Sequence, residues 1–230
     1  MTSAGNDIVS LNAINVARTK QPRFYSKILS DTEKALYHEA GFALVPFENF
    51  VWLLWSVKES AYKYLQRTDP GLIFHPVKFL VTQLRAPHDY TTPGFETAET
   101  EGTGFNNEPA FKGEITYGPY SLYSRSLIYR ELIVSVVNGN DNFKNTCWGV
   151  KSINKADPGY QSAEVRTFLI DRLGKFFNAD DILIDKTAEG FPVAIIKNEE
   201  MAIPVSLSHH DQWVAYSFQS DLIPLAAKAV

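Results

Sequence analysis

Residues 48–66, ENFVWLLWSVKESAYKYLQ, contain neither proline nor glycine and consist largely of good helix formers. One helix of about five turns is predicted there, closed by the turn residues Asp69-Pro70-Gly71. It carries a broad apolar surface in Trp52, Leu53, Leu54, Trp55 and Tyr62. The period then changes. Stretches 77–81, 112–117, 121–130 and 131–137 are rich in β-branched and aromatic residues and read as strands. Before the helix, 7–11 reads as the end of a short buried strand. Ser30 with Glu33 forms a capping box for a helix running through Leu36 toward a C-cap at Gly41. Asn138-Gly139-Asn140-Asp141-Asn142 is a breaker cluster and the expected boundary between two halves. Beyond it, 163–177 has helical spacing, 182–185 and 192–196 read as strands around Glu189-Gly190, and 205–208 and 213–218 form a last pair. Helices and mostly antiparallel strands in irregular alternation predict an α+β chain rather than a parallel βαβ sheet.

Composition narrows the functions. A length of 230 residues, 45% hydrophobic and 21% charged, suits one large domain or two small ones. The single Cys147 excludes a disulfide scaffold and a cysteine-based zinc site, and fits a reducing compartment. The apolar run 50–55 falls far short of the roughly 20 residues that span a bilayer. Residues 1–7 lack a basic or apolar leader pattern, so a cytoplasmic location is expected. A net charge of −4 lacks the basic excess that nucleic-acid binding needs. Residues 86–110 hold Asp89, Glu96, Glu99, Glu101 and Glu108 with no Lys or Arg, and are poor in aliphatics. A surface insertion is expected there, with a lid or docking arm as the functional alternative. GxGxxG after a strand, GxxxxGK[ST], HExxH and GxSxG are all missing, which argues against dinucleotide oxidoreductases, P-loop NTPases, zincins and α/β-hydrolases.

Three fragments carry candidate chemistry. Glu59 and Lys63 stand four apart on the predicted helix and share a face. They form either a surface ion pair or a carboxylate for a hard cation beside an ammonium for phosphate. Asp7 either caps a turn or joins Glu59 to hold Mg²⁺ with waters and substrate phosphates. In Ser206-Leu207-Ser208-His209-His210-Asp211, adjacent histidines point to different faces and make a poor metal pair. A hydroxyl and an imidazole there can instead donate to a phosphate.

Together, Gly5-Asn6-Asp7-Ile8-Val9, Trp55-Ser56-Val57-Lys58-Glu59-Ser60-Ala61-Tyr62-Lys63 and Ser206-Leu207-Ser208-His209 resemble the signature motifs of the 4′-phosphopantetheinyl transferase superfamily. The run from Arg23-Phe24 to Glu33 resembles its arginine–phenylalanine…glutamate link. Residues 1–140 look like the second half of the longer, pseudo-dimeric, surfactin-synthetase-activating type. Residues 141–230, with Arg166-Thr167, Gly190-Phe191-Pro192 and the Ser-His motif, look like its first half. The resemblance therefore implies two similar half-domains in exchanged order, each a small, mostly antiparallel sheet packed on helices, with the site between them.

It further implies an enzyme that moves the 4′-phosphopantetheine arm of coenzyme A to a serine of an acyl or peptidyl carrier protein. The alternative is a non-catalytic coenzyme A- or nucleotide-binding or interaction paralogue. Asp7 and Glu59 would hold Mg²⁺, with Mn²⁺ as the alternative. Glu59 would activate the serine, and Lys63 would bind the phosphates. Ser208 and His209 would reach coenzyme A phosphates, and Arg166 and Thr167 the 3′-phosphate and adenine. A monomer is implied, with a trimer as the runner-up, and neither nucleic acid nor membrane as partner. Lys20, Arg23, Lys27 and Lys34 are the candidate contacts for an acidic carrier. Two positions depart from the family pattern: Val9 stands where a second acid is usual, and Phe191 where a lysine is usual, with Lys151 or Lys155 as candidate replacements.

Overall fold

In the computed structural model, which describes residues 4–39, 42–88, 90–106 and 108–224, the chain opens with β1 (Gly5–Ser10), buried along its whole length. Three short helices follow, α1 (Val16–Thr19), α2 (Pro22–Tyr25) and α3 (Asp31–Leu36). The capping box forms at α3: Ser30 Oγ accepts from the Glu33 N–H at 3.3 Å, and the Glu33 carboxylate accepts from the Ser30 N–H at 2.8 Å. Gly41 and Asp89, named above, lie outside the described residues.

The long predicted helix is α4 (Phe47–Gln66). Its residues Phe50, Leu53, Leu54, Val57 and Ala61 recur at helical spacing and have no exposed surface. They pack on a five-stranded sheet. After β2 (Leu80–Arg85) and β3 (Glu99–Thr103) come β4 (Phe111–Tyr117), β5 (Tyr120–Ile128) and β6 (Leu132–Asn138), and the sheet runs β1-β6-β5-β4-β2, antiparallel throughout. Val9, Val81, Phe111, Ile115 and Ile133 are its contribution to the core under α4.

The second sheet runs β3-β7-β11-β10-β9-β8, also antiparallel. Its further strands are β7 (Thr146–Ser152), β8 (Ile182–Lys186), β9 (Pro192–Ile196), β10 (Met201–His210) and β11 (Trp213–Gln219). α5 (Pro158–Leu173) covers one face through Phe168, Leu169 and Leu173. The faces turned away from the helices meet in a further cluster, where Ile8, Leu127, Val134 and Val136 pack on Trp148, Val150 and Ala215. The result is an α+β molecule of two antiparallel sheets, face to face between their helices. Among the described residues no helix is long and apolar enough to cross a membrane.

Besides α1 and α2, which lie where the sequence reading assigns no element, four elements differ from it. Residues 99–103, expected in the surface insertion, form β3 at the edge of the second sheet, although the stretch supplying it precedes β4. Two contacts explain this. Gly102 lies flat on the Trp148 indole, where a Cβ would stand 2.7 Å from the ring. Glu101, which reads as a solvated acid, accepts from Tyr216 Oη at 2.9 Å and Lys175 Nζ at 2.8 Å. β2 starts at Leu80 rather than 77 because Pro76 opens a 3₁₀ turn, Pro76–Lys78. α5 starts at Pro158, earlier than expected, since Asp157 caps it by accepting from the Tyr160 N–H at 2.9 Å; it ends at Leu173. β7 has no alternating pattern, because Thr146, Cys147, Trp148, Gly149 and Val150 are buried regardless of the face they occupy.

Candidate active site

Successive residues of β1 serve different partners. Asp7 and Val9 face α4; Asn6 and Ser10 bond to β10, and Ile8 packs between the sheets. Gly5 lets β1 approach α4 closely: a Cβ there would collide with the Ser60 carbonyl oxygen and stand 2.9 Å from the Tyr64 amide nitrogen. Ser56 Oγ ties the two elements by donating to the Asp7 carbonyl at 3.2 Å.

This approach brings Asp7 to the two charged residues of the helix. Lys63 Nζ donates to Asp7 Oδ1 at 2.9 Å and lies 3.4 Å from Glu59 Oε1. Asp7 is almost wholly buried, whereas the Lys63 and Glu59 side chains are 24% and 28% exposed, so the cluster opens to solvent on the helix side. Burial pushes the Asp7 carboxyl up to about 7, against the opposing pull of Lys63. Burial also opposes the Lys63 ammonium, but Asp7 and Glu59 outweigh it and hold its pKa above the ordinary lysine value.

Asp7 Oδ2 is buried with no hydrogen-bond partner. A carboxylate oxygen in that condition costs free energy unless a donor or cation reaches it. With Glu59 it fits an ion such as Mg²⁺, which takes one or two carboxylates and leaves its other positions to water and substrate oxygens. A closed cage does not form: among the described residues, no three or more of His, Cys, Asp and Glu gather as a metal site. Val9 is packed in the core under α4 and offers no ligand.

The Ser-His fragment lies on β10, beside the free edge of β1. Ser206 Oγ accepts from the Asn6 N–H at 2.9 Å, Ser208 Oγ from Asn6 Nδ2 at 2.8 Å, and His210 Nδ1 from the Ser10 N–H at 2.9 Å. Every second residue of β10 therefore satisfies the strand edge, and Ser208 is buried in this joint. His209 is exposed, and its pKa is lowered by partial burial and by the Lys63 charge. His210, weighed above only as half of a metal pair, and Asn6 carry the joint; the signal for this role is the period-two pattern Ser206, Ser208, His210.

Arg166 and Thr167 stand on α5. Arg166 Nη1 donates back to the Ser162 carbonyl at 2.7 Å and to Ser162 Oγ. Among the described residues, no hydrogen bond or ion pair joins Arg166 or Thr167 to Asp7, Glu59 or Lys63. Lys151 pairs with Glu164 at 3.5 Å, and Lys155 lies 5.8 Å from the Tyr160 ring centroid. The cation beside Phe191 is instead Arg67, 5.9 Å from its ring centroid.

The residues of this cluster fall within a family match. The 4′-phosphopantetheinyl transferase superfamily is matched over residues 3–106, a segment that contains Asp7, Glu59 and Lys63. Comparison with curated proteins and with solved structures gave no match. With β1 and α4 placing these three side chains together, residues 3–106 of the chain are similar to the 4′-phosphopantetheinyl transferase superfamily.

Proposed function

We propose that this protein transfers the 4′-phosphopantetheine arm of coenzyme A to a serine of an acyl or peptidyl carrier protein, releasing 3′,5′-ADP. The observation that carries the reading is the Asp7–Lys63–Glu59 cluster with its orphaned Asp7 Oδ2. Phosphoryl transfer requires neutralised charge and in-line placement more than covalent help from the protein. Asp7 and Glu59 would hold a divalent cation, Mg²⁺ or Mn²⁺, which when bound offsets charge on the pyrophosphate. Glu59, the more exposed carboxylate, accepts the serine proton, directly or through a water. The serine oxygen bonds to the phosphorus that carries pantetheine as the bond to 3′,5′-ADP breaks. Lys63 donates to the same phosphates and stabilises the departing ADP, and His209 offers an imidazole N–H from the facing strand. The reacting groups would then lie between residues 1–140 and 141–230 of one chain.

An acidic carrier needs a local basic patch, because the chain itself has a net charge of −4. Lys20 pairs with Glu48 at 3.1 Å and Lys34 with Asp31 at 2.7 Å. Arg23 and Lys27 are exposed and form no ion pair among the described residues, and they are the proposed contacts. A monomer of 25.9 kDa is proposed as the active species, which light scattering on the active fraction tests against a trimer.

The direct test is mass spectrometry of an apo carrier protein incubated with coenzyme A, Mg²⁺ and this protein. The expected result is a gain of one phosphopantetheine arm. Glu59→Gln should keep the fold, checked by circular dichroism, and lose about 10²–10⁴-fold in rate. Full rate in that variant would remove Glu59 from the chemistry. A second reading, a non-catalytic coenzyme A- or nucleotide-binding paralogue, is favoured by Val9 in the core and Phe191 in place of lysine. Metal-independent binding of coenzyme A without turnover, measured by titration calorimetry, would favour it.

A further inference from the structure

Arg67, near this site, forms no ion pair among the described residues. Arg67 follows the last residue of α4 in helical conformation, so Glu59, Lys63 and Arg67 recur at intervals of four along one helix face. About 6 Å of helix axis separates Lys63 from Arg67. The Arg67 side chain crosses to the second sheet, where Nη2 donates to the Pro192 carbonyl at 3.2 Å and to the Val205 carbonyl. Among the described residues, no carboxylate pairs with it. Burial alone pulls its pKa down to about 10, the direction of a cation stripped of water and not repaid by an anion. Nε and Nη1 make no hydrogen bond among the described residues, so these donors of the guanidinium fork remain for a ligand.

Arg67 also lines a cleft of about 370 Å³ between the end of α4 and the β8–β9 hairpin, with Thr68, Thr187, Glu189, Phe191 and Pro204. That volume lies in the range of small-molecule sites. The lining combines the Phe191 ring, Pro70 and Pro204, two hydroxyls, the guanidinium and one carboxylate, Glu189; the apolar part suits a flat heterocycle and the Arg67 end an anionic group. Arg166, for which the family resemblance implies a contact to the 3′-phosphate, is folded back onto Ser162.

We propose that Arg67 binds the 3′-phosphate of coenzyme A and makes the protein select coenzyme A over 3′-dephospho-coenzyme A, with the adenosine beside Phe191. The inference rests on the proposed function, which places the pyrophosphate at Asp7, Glu59 and Lys63. Beyond the pyrophosphate, the charged group left on coenzyme A is the 3′-phosphate, and Arg67 is the next cation along the helix. With Nη2 engaged, Nε and Nη1 still offer a phosphate charge-assisted donors in fixed planar directions, and a lysine at that position would supply only a point charge.

The test compares coenzyme A with 3′-dephospho-coenzyme A, both by equilibrium binding and as substrates with an apo carrier. The wild type should prefer coenzyme A. Arg67→Met should raise the dissociation constant and KM for coenzyme A about 10–100-fold, as expected for a lost charge-assisted bond. It should leave the values for 3′-dephospho-coenzyme A within about twofold of wild type. Arg67→Lys should keep part of the preference, which provides a reading if Arg67→Met does not fold. Equal weakening of both ligands, or a preference lost in Arg166→Met and kept in Arg67→Met, would overturn the proposal. A wild type that modifies the carrier but binds both ligands equally would also overturn it, leaving the proposed function standing. A wild type that neither binds coenzyme A nor modifies the carrier would instead remove the proposed function.

Discussion

Lys58 and Glu59 are neighbours in sequence with opposite employment. Lys58 is fully buried; its Nζ reaches Glu33 Oε2 at 2.8 Å and the Ile28 carbonyl at 2.5 Å, and Glu33 Oε1 accepts from the Val81 N–H at 2.8 Å. Four segments are thus tied to one ion pair that no water reaches. Burial lowers the Lys58 pKa, and Glu33 opposes the shift. Glu59, about 100° further round the helix, is part exposed and keeps its carboxylate for the cluster with Lys63. Removing one member of a buried pair leaves an uncompensated charge, so Glu33→Ala should cost about 3–5 kcal/mol in urea unfolding. The double variant Glu33→Ala with Lys58→Met should recover part of that loss. A loss under about 1 kcal/mol in the single variant would mean that water reaches the pair.

At the scale of elements, the site depends on how closely β1 lies on α4. Gly5→Ala places a methyl group against the Ser60 carbonyl and the Tyr64 amide, which are helix backbone and cannot swing aside. Overpacking of this kind costs about 1–3 kcal/mol. The strand should also shift from the helix, lengthening the 2.9 Å Asp7–Lys63 contact. A lower thermal midpoint together with reduced transfer is expected; unchanged transfer at a lowered midpoint would show that the cluster survives the shift. Elements packed on one side were legible in sequence. α4 reads from its apolar spacing, and β9 falls on the expected 192–196. β7 was hidden because no alternation survives when the whole strand is buried, and β3 because Glu99, Glu101 and Gly102 have loop chemistry until Trp148, Tyr216 and Lys175 are placed against them. The candidate site divides the same way. Glu59 and Lys63 share a helix face that spacing alone reveals. Arg67 acquires its surroundings from β9 and β10, far along the chain, and spacing cannot supply those.

At the scale of the molecule, β1, the outer strand of the first sheet, lies beside β10 of the second, and His210 is the titratable link in that joint. Its Nδ1 accepts the Ser10 N–H at 2.9 Å, and a protonated ring has no acceptor there. Burial lowers its pKa below the ordinary 6.5; Asp211 and Glu59 pull the other way without reversing the shift. Lys63 and His209 also face this region, and Asp211 Oδ2 itself accepts from Ser10 Oγ at 3.1 Å. Above 6.5, folded and unfolded chains both carry neutral His210, and stability gains nothing from it. As pH falls below that value the unfolded chain takes up the proton first, so stability drops through the window beneath 6.5 until the folded ring protonates. Asp7 acts with the opposite sign: with its folded pKa raised from 3.8 to about 7, it makes the folded chain less stable as pH rises through that interval. The wild-type curve sums both slopes, and the informative quantity is its difference from His210→Gln, whose amide oxygen can accept from Ser10 without titrating. Urea unfolding between pH about 5 and about 7.5 should show the variant gaining on the wild type as pH falls, by no more than about 1.4 kcal/mol per pH unit. Parallel curves would mean that the joint tolerates a charged His210, and that the other bonds across it and the apolar cluster around Trp148 suffice to hold it.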